Sequence, residues 1–393
     1  MAKIDELLQE LCPDGVEFYP LWRVTAWDKK FNGVDKSMQE KIVKYKYLLA
    51  KDLENIIDVN GNVRILYTTT DVAFTTEEKA GEFISEGEIV AIPWGGNVSV
   101  KYYKGKFVTG DNRIATSLDT SVLDNKYLFF WMENNIDLLS SFYRGAGIKH
   151  PSMLSVLNLE IPIPHINIQH YIVETLDTFT DAISNLEEEL ALREKQCEYY
   201  REQLFNFDDE TSLGKQLYSY LIDWQTLSEV AEIGTGISNT KDGLSQGLFP
   251  FYTRGQDILW KNEYEFDEEA VITAGDGVGV GKTIHYVKGK YALHQRAYRF
   301  SPKKTLLGKF LFYYMKVSFY KYVCGQSVSS SVSSLRKPKL MAYPIPILPI
   351  EKQQEIVEIL DTFEAMIANI KEEIALRTKQ YEYYREKLLS FGK

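Results

Sequence analysis

A glycine-rich loop at residues 275–283 could bind a nucleotide phosphate, since it ends in Gly281-Lys282-Thr283. The phosphate-binding motif needs glycine five residues before the glycine that precedes the lysine, because backbone amides surround the phosphate there. In this chain that position is Asp276, whose carboxylate would repel a phosphate. We therefore predict that the glycines form a tight turn between two strands.

Other catalytic signatures are missing from the sequence. It contains no Asn-Pro-Pro-aromatic or Asp-Pro-Pro-aromatic tetrad of a methyltransferase and no carboxylate cluster of a nuclease or helicase. Cys12, Cys197 and Cys324 are far apart, and the five histidines have no metal-ligand spacing. We predict a chain without catalytic residues or a metal site, from a reducing cytoplasm. No apolar run approaches the ~20 residues of a membrane-spanning helix.

Polar and basic side chains in loops are the remaining candidates for chemistry. Arginine, asparagine and glutamine can form two hydrogen bonds with one base edge, and lysine can hold phosphates. In the N-terminal part the candidate DNA-contact residues are Thr69, Thr70, Asn97, Lys101, Tyr103, Lys104, Asn112, Arg113, Arg144 and Lys149. In the C-terminal part they are Arg254, Gln256, Lys282, Lys288, Lys290, His294, Gln295, Arg296 and Arg299. Any one of them could equally be ordinary solvated surface.

The charge distribution also bears on a polyanion partner. The net charge is −10 at pH 7, yet residues 277–350 contain 13 lysines and arginines and no acidic residue. A long stretch of one sign on an acidic protein predicts a local binding surface for a polyanion. The alternative is a basic face that balances acidic residues elsewhere in the fold.

The candidate residues lie in two intervals that are separated by a repeated element. Residues 161–207 recur as 345–391 without a gap, and 28 of the 47 aligned positions are identical. Each copy begins with an extended, proline-containing segment and continues with apolar residues at alternating steps of four and three. A mean step of 3.5 predicts a coiled-coil seam. Its positions are Ile172, Leu176, Phe179, Ile183, Leu186, Leu190 and Arg193 in the first copy, and Ile356, Leu360, Phe363, Ile367, Ile370, Ile374 and Arg377 in the second.

Two helices packed separately on their own domains would also fit this pattern. We expect instead that the two copies pair with each other, antiparallel and with pseudo-twofold symmetry. Arg193 and Arg377 are the charged seam residues, and the glutamate pairs at 188–189 and 372–373 could neutralise them.

The two intervals also correspond to each other. Residues 269–273 match 88–92, residues 285–291 (HYVKGKY) match 101–107 (KYYKGKF), and residues 325–330 match 145–150. The Lys-Gly pair at 104–105 predicts a β-hairpin turn. We predict an α+β fold with two globular α/β domains in tandem repeat, separated and joined by two long antiparallel coiled-coil helices.

The sequence resembles the specificity subunits of type I restriction–modification systems. The resemblance rests on the N-terminal IDELLQELCPDGVEFYPL, on FYTRGQD, and above all on IPIPHINIQHYIVETLDTFTDAISNLEEEL with its second copy. It covers the full chain, and it implies target-recognition domains at residues 1–160 and 212–344. It implies spacer helices at residues 161–211 and 345–393.

The resemblance implies a function as well. Each target-recognition domain would read one half of a bipartite double-stranded DNA site, while the helices set the unread gap and dock two methyltransferase subunits. This chain would be non-catalytic and cytoplasmic, and it would bind no cofactor. S-adenosylmethionine, ATP and Mg²⁺ would bind the methyltransferase and restriction subunits.

Two alternatives belong to other classes of protein. A coiled-coil adaptor without DNA contact has no need of the acid-free stretch at 277–350. A nucleotide-driven DNA enzyme would need the loop at 275–283, where Asp276 is unfavourable.

Overall fold

The structure, a computed structural model, describes residues 2–325 and 334–391. It divides into two compact units, of which the first comprises Met1–Asn185 with Ile374–Lys393 and the second Leu186–Glu373. Each unit therefore contains one globular domain and part of both long helices. The predicted correspondence at 326–330 lies outside the described residues. None of the helices within the described ranges is long and apolar enough to cross a membrane.

The first unit is built around a six-stranded sheet. The described strands of the whole unit are β1 (Glu17–Pro20), β2 (Thr25–Trp27), β3 (Val63–Leu66), β4 (Val72–Thr75), β5 (Ser85–Pro93), β6 (Lys101–Thr109), β7 (Asn112–Ser117), β8 (Tyr143–Arg144), β9 (His150–Pro151) and β10 (Glu160–Ile163). The main sheet has the order β2-β7-β5-β6-β3-β4, while β1 pairs with β10 and β8 with β9. In the main sheet only β3 and β6 are parallel neighbours.

Helices cover this sheet and form the core with it. They are α1 (Ala2–Leu11), α2 (Leu21–Val24), α3 (Ala50–Asn55), α4 (Glu77–Ala80), α5 (Asn125–Asn134), α6 (Ile136–Ser141), α7 (Met153–Leu157) and the long α8 (Ile166–Phe205). Val90 and Ile92 of β5 share one buried cluster with Tyr127 of α5 and with Ile172 and Leu176 of α8. The apolar start of α8 is thus part of the domain core.

The second unit repeats this architecture. Its strands are β11 (Asp223–Thr226), β12 (Ala231–Thr235), β13 (Phe249–Tyr252), β14 (Leu259–Lys261), β15 (Phe266–Ala274), β16 (Ile284–Leu293), β17 (Ala297–Pro302) and β18 (Pro344–Ile347). Its helices are α9 (Leu213–Tyr218), α10 (Leu227–Val230), α11 (Gly308–Cys324), α12 (Lys337–Met341) and the long α13 (Ile350–Leu389). The main sheet has the order β12-β17-β15-β16-β13-β14, with β13 parallel to β16, and β11 pairs with β18.

The strand registers confirm the correspondence between the intervals. Glu88 of β5 lies opposite Lys104 of β6, and Glu269 of β15 lies opposite Lys288 of β16. These pairs place residues 88–92 with 269–273 and residues 101–107 with 285–291.

The predicted hairpin at 104–105 is wrong. Strand β6 continues through both residues, because Lys104 and Gly105 pair with Glu88 and Gly87 of β5. The Lys104 ammonium lies 3.3 Å from the Glu88 carboxylate. Gly105 has φ 135° and its counterpart Gly289 has φ 113°, a conformation that side-chain-bearing residues rarely adopt. The glycine is needed inside the strand and not in a turn.

Each long helix is attached to its domain by a buried glutamine. Gln169 in the first turn of α8 donates to the carbonyls of Val122 and Pro164, both at 2.8 Å, and accepts from the Asp124 amide at 2.9 Å. Gln353 of α13 makes the same three bonds, with the Thr305 and Leu348 carbonyls and the Leu307 amide. Both glutamines are fully buried, so losing these bonds would leave unsatisfied polar groups.

An ion pair about two helical turns further along each long helix repeats in the same way. Lys126 of α5 lies 2.8 Å from Asp177 of α8, and Lys309 of α11 lies 2.6 Å from Asp361 of α13. The two domains therefore hold the starts of the two long helices through equivalent contacts.

Within each unit the two long helices run antiparallel, as predicted. In the second unit, Glu194 of α8 lies 2.7 Å from Lys371, and Tyr200, further along α8, stacks on Phe363. In the first unit, Leu388 near the end of α13 shares a buried cluster with residues near the start of α8.

Burial along the helices follows the predicted seam. Ile172, Leu176, Ile356 and Leu360 are fully buried. Other apolar seam positions are half-buried, at Phe179, Ile183, Leu186, Leu190, Phe363, Ile367, Ile370 and Ile374. Leu192, outside the seam, is exposed.

The seam arginines point partly to solvent. Arg193 is half-buried and pairs with Glu189 at 3.4 Å, as predicted, while the exposed Arg377 donates to Gln380 at 3.1 Å.

Candidate nucleic-acid interface

Four loops of the first unit converge around the start of β7 in the main sheet. They follow β3 (67–71), β5 (94–100) and β6 (110–111), and the fourth joins β8 to β9 (145–149). Backbone hydrogen bonds connect them: Gly110 donates to Leu66, Trp94 to Asp111, and Gly96 to Lys149. The four loops thus form one continuous surface.

Asn112 is the polar centre beneath these loops. Its buried side-chain amide donates to the Leu66 carbonyl at 2.9 Å and to the Tyr67 carbonyl at 3.3 Å. The Lys101 ammonium also donates to the Tyr67 carbonyl, and it lies 3.5 Å from the Asn112 side-chain oxygen. Burial, with a smaller contribution from the nearby Arg64, lowers the pKa of Lys101 to about 8.

Arg113 lies beside this centre and is also buried. Its guanidinium carbon is 4.0 Å from the centre of the Trp94 ring, and its Nη1 donates to Asp111 at 2.9 Å. The Trp94 carbonyl lies 2.8 Å from Nδ1 of His150. Arg113 therefore links the loop after β5 to the start of β7.

The other candidates of the first unit fall into two groups. Those exposed on the converging loops or on the strand ends beside them are Thr69, Thr70, Asn97, Arg144 and Lys149. Tyr103 and Lys104 lie instead along β6, where Tyr103 packs against Phe107 and Lys104 pairs with Glu88.

In the second unit the equivalent loops surround a carboxylate. Asp276, after β15, accepts from Arg254 at 2.8 Å and from Arg296 at 3.1 Å. Arg254 follows β13, and Arg296 lies in the turn between β16 and β17. Burial alone would raise the pKa of Asp276, but the bonds and charges of the two arginines hold it below its ordinary value. We call these three residues the Arg254–Asp276–Arg296 cluster.

His294 supports this cluster from below. It is 2% exposed, and its Nδ1 accepts from the Arg296 backbone amide at 3.0 Å. Burial is the main cause that lowers the pKa of His294, and the neighbouring arginines add to it. A neutral ring with an acceptor Nδ1 fits this hydrogen bond.

The remaining candidates of the second unit are more scattered. Gln256, Gln295 and Lys282 are exposed on the same loops. Lys288 and Lys290 lie along β16, where the Lys290 ammonium is 4.7 Å from the centre of the Tyr264 ring. Arg299 is buried, bonded to Glu268 at 2.9 Å and to Glu232.

The glycine-rich loop has the predicted form of a connection between two strands. Residues 275–283 join β15 to β16, with Gly277 at φ 80° and Gly281 at φ 74°. From the sequence alone, Asp276 is only an obstacle to phosphate binding. In the structure it is the acceptor that brings two candidate arginines together.

Several basic residues of the acid-free stretch pair with acidic residues from elsewhere in the chain. Lys309 and Lys316 pair with Asp361 and Glu364 of α13. Arg299 pairs with acidic residues on two other strands. These pairs fit the alternative of a charge balance with acidic residues elsewhere in the fold, and the binding surface for a polyanion stays a prediction.

Three supporting residues were missed among the candidates. Gln169 and Gln353 occupy the same position in both copies of the repeat, and that identity was an available signal. Trp94 had no such signal, because its contact with Arg113 joins distant parts of the sequence. Within the described ranges no group of His, Cys, Asp and Glu side chains is arranged to hold a metal ion.

A family model described as the type I restriction modification DNA specificity domain matches residues 34–193 and again residues 222–376. The chain belongs to this family. The two matches account for most of its length. The first covers strands β3 to β7 of its main sheet but not β2, the second covers the whole main sheet of the second unit, and each extends into the first part of a long helix.

Individual relatives agree with the family assignment. A type I restriction enzyme specificity subunit of Escherichia coli is 29% identical over 314 residues, covering 72% of this chain and 74% of the relative. One from Methanocaldococcus jannaschii is 21% identical over 336 residues, covering 78% of each. The crystal structure of a type I S subunit from M. genitalium superposes with TM-score 0.69 over 96% of this chain and 97% of its own, at 18% identity. This chain is accordingly a type I specificity subunit, and the last comparison shows that the fold is shared.

Proposed function

We propose that this specificity subunit reads double-stranded DNA in two parts, one with each set of converging loops. The supporting observation is that two sheets of the same strand order carry different side chains on equivalent loops. When the two sheets are aligned by their strand registers, Asp276 and Arg296 of the second unit correspond to Gly95 and Asp111 of the first. Two sheets of the same strand order with different loop side chains are suited to reading two different base sequences.

The exposed and buried candidates have different roles in this proposal. Exposed side chains such as Arg144, Lys149, Gln256 and Arg296 contact DNA directly. Buried ones such as Asn112, Arg113, His294 and Arg299 hold the loops and strands in place. A buried side chain whose polar groups are already bonded would have to break those bonds to reach a base.

The partners and cofactors follow from the proposed role. The two long helices set the unread gap between the half-sites and dock two methyltransferase subunits, and restriction subunits join this complex. S-adenosylmethionine, ATP and Mg²⁺ bind the partner subunits. This chain is non-catalytic and works in the cytoplasm.

Methylation sequencing tests this function. The chain is expressed with its methyltransferase subunits in a host without another type I system, and the genome is sequenced with detection of methylated bases. We expect one bipartite methylated motif that disappears when this chain is omitted. A motif that persists without the chain, or a one-part motif, would contradict the proposal.

Loop variants then test whether the converging loops of the first domain contact DNA. Arg144→Ala combined with Lys149→Ala should reduce methylation of the motif, since both side chains are exposed on or beside the converging loops. Lys104→Ala is the matched control, because Lys104 is exposed on β6 and pairs with Glu88. Equal losses in both variants would argue against these loops as the reading surface.

A further inference from the structure

The Arg254–Asp276–Arg296 cluster combines two features that a phosphate site would not combine. It presents two guanidinium groups on loops that we propose to face DNA, and it places a carboxylate between them. The carboxylate cancels one of the two positive charges and would repel a phosphate nearby. If the arginines served only as phosphate contacts, Asp276 would weaken them.

The geometry of the hydrogen bonds explains what the carboxylate contributes. Each arginine uses Nη1 to bond one oxygen of Asp276. A guanidinium has five N–H donors, so each arginine keeps further donors for another acceptor pair. The side chains of Arg254 and Arg296 are 40% and 62% exposed, whereas that of Asp276 is 23% exposed. The carboxylate lies behind, and the guanidinium groups lie towards solvent.

A fixed planar fork of donors suits a planar pair of acceptors. Guanine offers such a pair in the major groove through its O6 and N7 atoms, and arginine is the side chain that binds them most often. Holding the guanidinium in place before binding reduces the rotamer entropy lost on binding. A neutral base edge is also not repelled by the nearby carboxylate as a phosphate would be.

We propose that the second domain reads a guanine with this cluster, in which Arg296 makes the base contact and Asp276 is a positioning residue. This inference rests on the proposed function, because it assigns the cluster to the half-site read by residues 212–344. At the equivalent places of the first unit are Gly95 and Asp111. The first domain therefore reads its half-site by other contacts.

The experiment compares three variants of the full chain, each expressed with its methyltransferase subunits. Arg296→Ala removes the base contact, and Asp276→Asn keeps the shape of the side chain and removes its charge. Asp257→Asn is the matched control, because Asp257 is exposed in the neighbouring loop and has no side-chain hydrogen bond or ion pair within the described residues. Methylation is measured at all genomic sites that differ from the wild-type motif by one base pair.

The expected result is a loss of discrimination at one G·C pair of the second half-site. Arg296→Ala should lower discrimination at that pair roughly tenfold or more, and Asp276→Asn should lower it about fivefold at the same pair. Asp257→Asn should stay within about twofold of wild type at every position. The inference would be overturned if Asp276→Asn instead increased methylation or binding of all DNA and left discrimination unchanged. That result would indicate that the arginines contact phosphates.

Two controls separate the possible failures. A thermal melt of each variant identifies loss of folding. If Asp276→Asn unfolds at a lower temperature than the wild type, Arg296→Ala alone tests the inference, because Arg296 is the more exposed side chain. If the wild type itself yields no bipartite motif, the proposed function fails and this inference falls with it. If the wild-type motif is present but its second half-site contains no guanine, only this inference is overturned.

Discussion

Phe179 of α8 stacks on Tyr384 of α13, with ring centroids 5.1 Å apart and ring planes at 21°. The same contact is made in the second unit by Tyr200 and Phe363, at 5.4 Å and 22°. Phe179 corresponds to Phe363 and Tyr200 to Tyr384 in the repeat, so the two copies exchange roles between the contacts. This exchange is what an antiparallel pairing of two equivalent helices produces within each unit.

Removing one ring of this stack should lower stability. Phe363→Ala is expected to reduce the free energy of unfolding by about 2–3 kcal/mol, because it deletes a half-buried ring and its stacking partner contact. Met366→Ala, on the same helix and 43% exposed, is the control and should change it by less than about 1 kcal/mol. Urea denaturation measures both values, and similar losses in the two variants would argue against the seam.

The buried Lys101 predicts a pH-dependent stability. Its pKa is lowered to about 8 in the fold by burial and by Arg64, against ~10.4 in an unfolded chain. Between these pH values the unfolded chain binds more protons, so this lysine makes the protein more stable as pH rises from about 8 to about 10. Below pH 8 its burial opposes folding.

Lys101→Met removes this dependence. The free energy of unfolding of the wild type minus that of the variant should increase by about 1–3 kcal/mol between pH 8 and pH 10. Urea denaturation at both pH values tests this, and tyrosine ionisation affects both proteins alike. A difference that does not change with pH would show that Lys101 is not buried as described.

Exchange of one domain should change one half of the methylated motif. Replacing residues 212–344 with the matching domain of a relative should alter one half-site and leave the other half-site and the gap unchanged. The reason is that base-edge contacts are local, each good pair contributing about 1–3 kcal/mol of discrimination. Methylation sequencing of the chimera gives the answer, and a change in both half-sites would refute independent reading.

Lengthening both long helices should change the gap and not the bases. Seven added residues in α8 and in α13 preserve the seam repeat and extend each helix by ~10 Å at ~1.5 Å per residue. With ~3.4 Å per base pair, we expect the gap in the motif to widen by about three base pairs. Four added residues in each helix, ~6 Å, form a second trial with less rotation along the duplex.

The same insertion in α8 alone is the control. It leaves the seam positions of the two helices out of step, and we expect loss of stability and of methylation. Altered bases at an unchanged gap, with both helices lengthened, would contradict the role of the helices.

The sequence alone determined the order of domains and helices. The repeat at 161–207 and 345–391 and its alternating steps of four and three residues are properties of neighbouring positions, so they predict the long helices, their seam and their pairing. The correspondence of residues 101–107 with 285–291 likewise predicted equivalent strands, and the strand registers confirm it.

Tertiary structure decided which polar side chains face solvent. Asn112 bonds the carbonyl of Leu66, 46 positions earlier, and Lys309 pairs with Asp361, 52 positions later. The fold brings these distant partners together, and a contact between two single polar residues leaves no periodic pattern in the sequence. For the same reason Lys104-Gly105 looked like a turn and proved to lie inside β6. Asp276 looked like an obstacle and proved to hold Arg254 and Arg296, since the charge of a side chain acts on whatever the fold places beside it.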